Sequence, residues 1–213
     1  SGSGKSTVMD AIQVILYGSF SPSFLNKAAD DAKNRRSVLS YLRGEQKDGS
    51  ANRKDCDFCS VIALEIEDTG THIITCIGIA FEVRKSDSEI KKFVYFSHSG
   101  KMPESEYLTE QGVCYSNQEI KKLVSARTKS DDNRGKGEVN RIYGSKEAYL
   151  GTLYDVILGY IDQNRFITME KSAIALKMTN GTGQFIRDYM FPKNTSNTIA
   201  TISEQLDSYR QIK

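Results

Sequence analysis

The sequence has no long apolar run. Its longest, Ile73-Ile74-Thr75-Cys76-Ile77-Gly78-Ile79-Ala80-Phe81, falls far short of the roughly 18–20 residues that cross a bilayer as a helix, so no membrane association is expected. Ser1 opens within a polar Gly/Ser segment and not a charged, then apolar leader, which leads to the expectation of a cytoplasmic protein. Charge of one sign is lacking as well. The 29 basic and 27 acidic residues leave a net charge of +2, which neither predicts nor excludes a nucleic-acid partner, because a local basic face does not show in the total. Histidine occurs only at His72 and His98, too isolated for a metal site and read as surface or strand residues. Cysteine is sparse. Cys56 and Cys59 form one C-x-x-C pair, Cys76 and Cys114 sit alone, and no second pair stands at zinc-ligand spacing. Two reduced thiols at the entry to a strand are expected ahead of a redox or metal pair. Internal repeats and low-complexity tracts are also missing.

What is present fits a soluble globular chain with one good-sized core, since 38% of the 213 residues are hydrophobic and 26% charged. Val8, Ile12, Ile15 and Leu16 recur at helical spacing and Gly18 stands where that helix would stop, so residues 8–17 are expected to be helical and to pack through those four side chains. Residues 18–33 read as a loop. A short helix is expected at about 35–43, closed by Gly44, followed by a polar loop over 45–55. Three strand-like runs come next: Phe58–Glu67, Thr71–Arg84 and Lys92–Ser97. Asp68-Thr69-Gly70 leaves room only for a hairpin, and Lys85–Lys91 is too short for a crossover helix, so the runs predict an antiparallel meander. Helical patterns return at about 117–126, 145–160 and 163–177, with 127–141 read as a charged surface loop. In the tail, Ile199, Ile202, Leu206 and Tyr209 are spaced three, four and three apart, the seam of a starting coiled coil.

The chemistry sits at the first residues. Ser1-Gly2-Ser3-Gly4-Lys5-Ser6-Thr7 matches the later part of G-x-x-x-x-G-K-[ST], without the first glycine. Gly2 and Gly4 let the backbone curl so that its N–H groups, with that of Ser3, approach phosphate oxygens. The helix that follows adds its positive N-terminal end. Lys5 is expected to reach the β- and γ-phosphates of ATP, the Ser6 hydroxyl to ligate Mg2+, and Thr7 to contact the α-phosphate. The strand that normally precedes such a loop is missing from the reading, as is a Walker B run of apolar residues ending in acids. Asp55-Cys56-Asp57 precedes its strand, and Asp68 belongs to a hairpin turn. The chain alone is therefore expected to bind nucleotide weakly and not to hydrolyse it.

Several segments beyond the P-loop carry a resemblance. They are Gly4-Lys5-Ser6-Thr7-Val8-Met9-Asp10-Ala11-Ile12-Gln13, Phe24-Leu25-Asn26-Lys27-Ala28-Ala29 and Arg36-Ser37-Val38-Leu39-Ser40-Tyr41-Leu42-Arg43-Gly44. Asp57–Glu65, Lys171–Lys177 and Phe185–Tyr189 continue it in order over nearly the whole chain. Together they resemble the N-terminal half of an ATPase head of the structural-maintenance-of-chromosomes (SMC) and Rad50 superfamily. Within it, they are most similar to the MukB-like ATPase subunits of bacterial Wadjet plasmid-defence systems, the JetC family. The P-loop is shared by many families; the Asn26–Ala29 and Arg36–Gly44 segments are more specific.

The resemblance implies an α/β fold: the N-terminal lobe of an ABC-type P-loop ATPase head over residues 1–198, with the coiled coil starting at 199–213. It implies ATP and Mg2+ held between two heads, and DNA as the substrate of the complete complex. Kleisin and winged-helix subunits are the implied partners, with a nuclease subunit in plasmid defence. The signature motif and Walker B would come from a lobe beyond the coiled coil. Gln163 and Gln184 are candidates for the Q-loop glutamine.

Arg36 and Arg43, and less so Arg35, flank the short helix and are candidates for phosphate or DNA contact, because a guanidinium forks onto phosphate oxygens. Otherwise they are a solvated, salt-bridged helix face. Lys91, Lys92, Lys121 and Lys122 are candidates for DNA phosphate contact, set against plain solvated surface. Tyr41, Tyr149, Tyr154 and Tyr160 are expected to be packing residues. Three other readings compete: a Rad50- or RecF-like repair ATPase, a small-molecule P-loop kinase, and an adaptor with a decayed P-loop. A kinase requires parallel βαβ units, which the expected meander opposes.

Overall fold

The computed structural model describes residues 5–21, 37–46, 49–131 and 139–174. The chain divides into two compact units, 1–163 and 164–213; the expected boundary at 198 and the coiled-coil start at 199–213 lie outside the described residues. In the first unit, helix α1 (Lys5–Tyr17) and the short α2 (Val38–Arg43) precede strands β1 (Phe58–Glu67), β2 (Ile74–Val83) and β3 (Lys92–Ser99). Helix α3 (Asn117–Asp131), strand β4 (Arg141–Tyr143), helix α4 (Lys146–Gly151) and a π-helical segment (Thr152–Ile157) complete it. Of the second unit, α5 is described; it begins at Gln163 and runs to Ile174.

The four strands form one antiparallel sheet in the order β1-β2-β3-β4, so the expected meander is observed. The chain is mixed α/β with an antiparallel sheet. The β1–β2 turn is longer than a tight hairpin, because Glu67 pairs with Ile74 and residues 68–73 form the loop. Asp68 Oδ1 accepts from the N–H groups of Gly70 (2.8 Å) and Thr71 (3.0 Å). The side chain thus replaces backbone partners that a two-residue turn would have supplied, and these bonds hold its carboxyl below the usual range.

Register places Val61, Ala80 and Phe96 on one face of the sheet. There Ala80, Phe96 and Tyr107 bury against Ile120 and Val124 of α3. The opposite face carries Ile62, Ile79 and Tyr95, and α1 and α4 pack on it. Because helices cover both faces, β2 is buried almost end to end and does not alternate. Helix α3 is started by a capping box: Glu119 N–H donates to Ser116 Oγ (3.3 Å), and Ser116 N–H donates to Glu119 Oε2 (2.7 Å). Glu82, paired across strands with Lys92, accepts the next N–H, that of Asn117 (2.9 Å).

Four expectations are corrected. Val8 does not pack: it is 60% exposed, and α1 buries Asp10, Gln13, Val14, Ile15 and Tyr17. The helical repeat was right in period, but the inward face is rotated so that two polar residues lie on it. Within the expected 127–141 loop, residues 127–131 belong to helix α3 and Arg141 to β4, while 132–138 lie outside the described residues. The expected 145–160 helix is α only to Gly151 and then widens into the π-helical segment. Tyr160 is 86% exposed and does not pack. By contrast, α2 closes as expected at Gly44, whose left-handed conformation (φ 66°) lets its N–H reach back to the carbonyls of Ser40 and Tyr41.

Among the described residues no helix is long and apolar enough to cross a membrane. Gly78 marks the tightest point of the sheet. A Cβ there would lie 2.4 Å from the Ile62 carbonyl oxygen and 2.9 Å from Ala63 Cα, both backbone atoms. Gly78→Ala is therefore expected to destabilise the fold by about 1–3 kcal/mol, read as a lowered urea midpoint; an unchanged midpoint contradicts the β1–β2 register.

Candidate functional site

Helix α1 carries the end of the phosphate-loop motif and is fixed at its far end. An α-helix leaves its last carbonyls without intrahelical partners. Here tyrosine hydroxyls from three other elements serve that end: Tyr149 donates to the Ile15 carbonyl (3.1 Å), Tyr154 to Leu16 (2.8 Å) and Tyr95 to Gly18 (2.6 Å). Burial pushes the Tyr95 and Tyr154 hydroxyls up to about 12 and raises Tyr149 as well. All three stay protonated donors at neutral pH. Phe20, just past the helix, meets Phe93 (4.7 Å between ring centroids) and Phe81 (5.4 Å) edge-on.

The flank of α1 faces α2. Asp10 is only 6% exposed, and Tyr41 of α2 donates to its Oδ2 at 2.5 Å. A buried carboxylate requires such a partner. Helix α2 is itself held at both ends. Ser37 Oγ accepts the Ser40 N–H (3.1 Å). At the other end, Nη2 of Arg43 donates to the carbonyls of Asp87 (2.7 Å), Lys85 (3.1 Å) and Arg84 (3.3 Å) in the β2–β3 turn.

Between α1, α2 and β1 lies a cleft of about 310 Å³. Thr7, Asp10 and Val14 line it along α1, Val38, Tyr41 and Leu42 along α2, and Ser60 and Ile62 along β1, with Asn52 and Arg53 at the loop between. Small-molecule sites are of this kind: apolar walls with a few convergent polar groups.

The structure brings together Thr7 and Arg43, which line the same cleft. Gly2, Ser3, Gly4 and Arg36 lie outside the described residues, as do the side chains of Lys5 and Ser6 and the whole of Arg35 and Gln184. Helix α1 starts at Lys5, three residues earlier than the periodicity indicated. Gln163 is half-buried at the first position of α5. The lysine candidates do not converge. Lys91 pairs with Asp87 (3.7 Å), Lys92 with Glu82, and Lys121 and Lys122 sit exposed on α3. Asp57 accepts the Lys85 N–H (2.8 Å) and so serves the β2–β3 turn. Cys56 is exposed and Cys59 half-buried at the second position of β1, and both are free. No group of three His, Cys, Asp or Glu side chains able to hold a metal occurs among the described residues. Sequence reasoning missed Asp10 and its tie to Tyr41. The available signal was an acid at an inward helical position, which burial makes costly unless paired.

His98, read from sequence as a surface or strand residue, is a fully buried strand residue. Its Nδ1–H donates to the Ser99 carbonyl (3.0 Å), which leaves Nε2 to accept from the Tyr107 hydroxyl (2.8 Å). Burial lowers its pKa below the ordinary 6.5. Arg127 acts in the same direction, while the Ser99 carbonyl and Glu65 oppose it.

Comparison of the chain with family models, curated proteins and solved structures finds no match.

Two predictions follow from this geometry. Tyr41→Phe leaves a buried carboxylate short of a donor and is expected to cost about 1.5–3 kcal/mol in urea unfolding; a loss within error would mean the Asp10 bond contributes nothing. The second concerns pH. An unfolded chain protonates His98 near 6.5, whereas the fold resists it, so the unfolded state binds more protons at low pH. Stability contributed by neutral His98 is present above that value and is lost as pH falls below it. The urea midpoint should drop between about pH 7 and pH 5, and His98→Gln should flatten that slope; parallel slopes would refute the assignment.

Proposed function

We propose that this chain is the ATP-binding N-terminal half of the head of an SMC-like DNA-motor ATPase, acting in plasmid defence or DNA maintenance. The observation that carries the reading is the start of α1 at Lys5, directly after the Gly/Ser segment of the motif. A phosphate loop must run into a helix N-terminus, where backbone N–H groups and the helix dipole favour negative charge. The antiparallel sheet after α2 supports it further. Over β1–β4 it provides none of the parallel βαβ units on which a small-molecule kinase is built.

In this reading the backbone of Gly2, Ser3 and Gly4 cradles phosphate oxygens, and Lys5 holds the β- and γ-phosphates. Ser6 supplies a hydroxyl to Mg2+, and Thr7 meets the α-phosphate. Bound Mg2+ would neutralise charge on the phosphate oxygens. The cleft lined by Thr7, in the first turn of α1, supports this reading. Arg36 is kept as a further phosphate or DNA contact. Arg43 acts mainly by tying α2 to the β2–β3 turn, as its three carbonyl partners support. The partners are a second head, kleisin and winged-helix subunits, DNA through the complete complex, and a nuclease subunit in the defence setting. The chain itself contributes binding; hydrolysis awaits the acidic residues of the other lobe.

Lys5→Ala removes a charge-assisted contact and is expected to weaken ATP binding by about 1.5–3 kcal/mol, in this chain or in a head reconstituted with its second lobe. Isothermal titration giving equal ATP affinities for Lys5→Ala and the unaltered protein would sink the proposal.

A further inference from the structure

We propose that the outer edge of β1 is an interaction surface that pairs antiparallel with β1 of a second copy of this chain. The pairing joins two four-stranded sheets into one and is independent of the nucleotide reading above.

The strand order leaves β1 and β4 at the edges of the sheet. An edge strand presents a row of unpaired backbone groups to other chains, and proteins blunt such edges with short strands, Lys, Pro or bulges. β4 is three residues long and so is blunted by length. β1 runs ten residues, Phe58–Glu67, and holds no Lys, Pro or Gly. Its register with β2 is continuous, so no bulge twists it away. Its charges, Glu65 and Glu67, stand at one end. The Asp68 N–H donates to the Ile73 carbonyl at 2.9 Å, which fixes the phase of the ladder. Counting back, Phe58, Ser60, Ile62, Leu64 and Ile66 bond to β2, and the backbone groups of Cys59, Val61, Ala63 and Glu65 point outward. Among the described residues none of these outward groups has a backbone partner. The Cys114 sulfur lies against the Val61 N–H, and sulfur is a weak acceptor that a carbonyl would replace.

The strand itself says what fits. An isologous contact requires a self-complementary surface, and Phe58–Ile66 is self-complementary when reversed about Ile62. A two-fold axis through Ile62, perpendicular to the sheet, sets Cys59 opposite Glu65 and Val61 opposite Ala63. All four point outward, so each pair exchanges both of its hydrogen bonds. On the α1 face the same axis sets Phe58 against Ile66, Ser60 against Leu64, and Ile62 against its own copy, and cross-strand pairs of this apolar kind stabilise a sheet. Neighbouring registers are worse. An axis at Val61 opposes the carboxylates of Asp57 and Glu65, and an axis at Ala63 sets Phe58 against Asp68. With the axis at Ile62, Asp57 and Glu67 face each other only beyond the last bonded pair, where both are exposed and screened by solvent.

The test uses the chain without nucleotide. Sedimentation equilibrium and NMR amide hydrogen exchange are measured over a concentration series. A monomer–dimer equilibrium is expected. As the dimer forms, the N–H groups of Cys59, Val61, Ala63 and Glu65 should gain about tenfold or more in protection. Those of Ser60, Ile62 and Leu64, already bonded to β2, should be protected throughout. Ala63→Pro removes an N–H that β2 does not use, and proline is tolerated at an edge position facing away from the ladder. The axis doubles the loss, so dimerisation should weaken by about tenfold or more, while the exchange pattern of the residues bonded to β2 is kept. A monomer at every concentration overturns the proposal, as does a dimer whose outward amides stay unprotected. A monomer with protected outward amides means that another strand of the same molecule fills the edge, which overturns the second copy as its occupant. If Ala63→Pro does not fold, the wild-type exchange pattern decides by itself.

Discussion

The position of α1 depends on three tyrosine hydroxyls at its C-terminal end. Tyr95, Tyr149 and Tyr154 come from β3, α4 and the π-helical segment, and their donors meet the carbonyls of Gly18, Ile15 and Leu16. A helix end buried without such partners would leave several orphan acceptors. Here the same contacts that satisfy those acceptors also fix where the other end of the helix lies. Because the rings of Tyr95 and Tyr149 stack at 4.6 Å and Tyr143 meets Tyr149 edge-on at 5.8 Å, the anchor is rigid as well as polar. The anion site proposed at the start of α1 would require such a fixed helix.

The second constraint is α2, six residues long and too short to be stable alone. It persists because each part is tied elsewhere: Ser37 at its start, Tyr41 to Asp10 of α1, and Arg43 to three carbonyls of the β2–β3 turn. It therefore bridges α1 and the β2–β3 turn. The cleft is lined by α2, by β1 and by Asn52 and Arg53 of the loop between them. In the proposed head, the corner that Arg43 grips carries Lys85, Lys91 and Lys92.

The sheet was legible because short connections forbid parallel pairing whatever the tertiary context: β1 began and ended where its alternation did, and β2 and β3 shifted by three residues or fewer. Strand β4 was not, because Arg141-Ile142-Tyr143 is too short to show a period and is a strand only by pairing with Tyr95, Phe96 and Ser97. The face of α1 was misread for a related reason. Periodicity reports which residues are apolar, so it favoured Val8 and could not foresee that Asp10 and Gln13 face inward. Asp10 does so beside Tyr41, thirty-one residues away. His98 gave no sequence cue either; its burial depends on Tyr107, whose hydroxyl reaches Nε2.

The sequence by itself determined the helix that follows the Gly/Ser segment, the antiparallel order of the long strands and the stop of α2 at Gly44. Each rests on local chemistry: glycine's freedom, helical period and loop length. Only the tertiary structure decided which side of α1 is buried, that Arg43 grips a turn, that Asp10 and Tyr41 meet, and that a cleft opens beside Thr7. Those outcomes depend on contacts between residues distant in the chain, where a hydroxyl or a guanidinium is satisfied by whichever carbonyl or carboxylate the fold brings within about 3 Å.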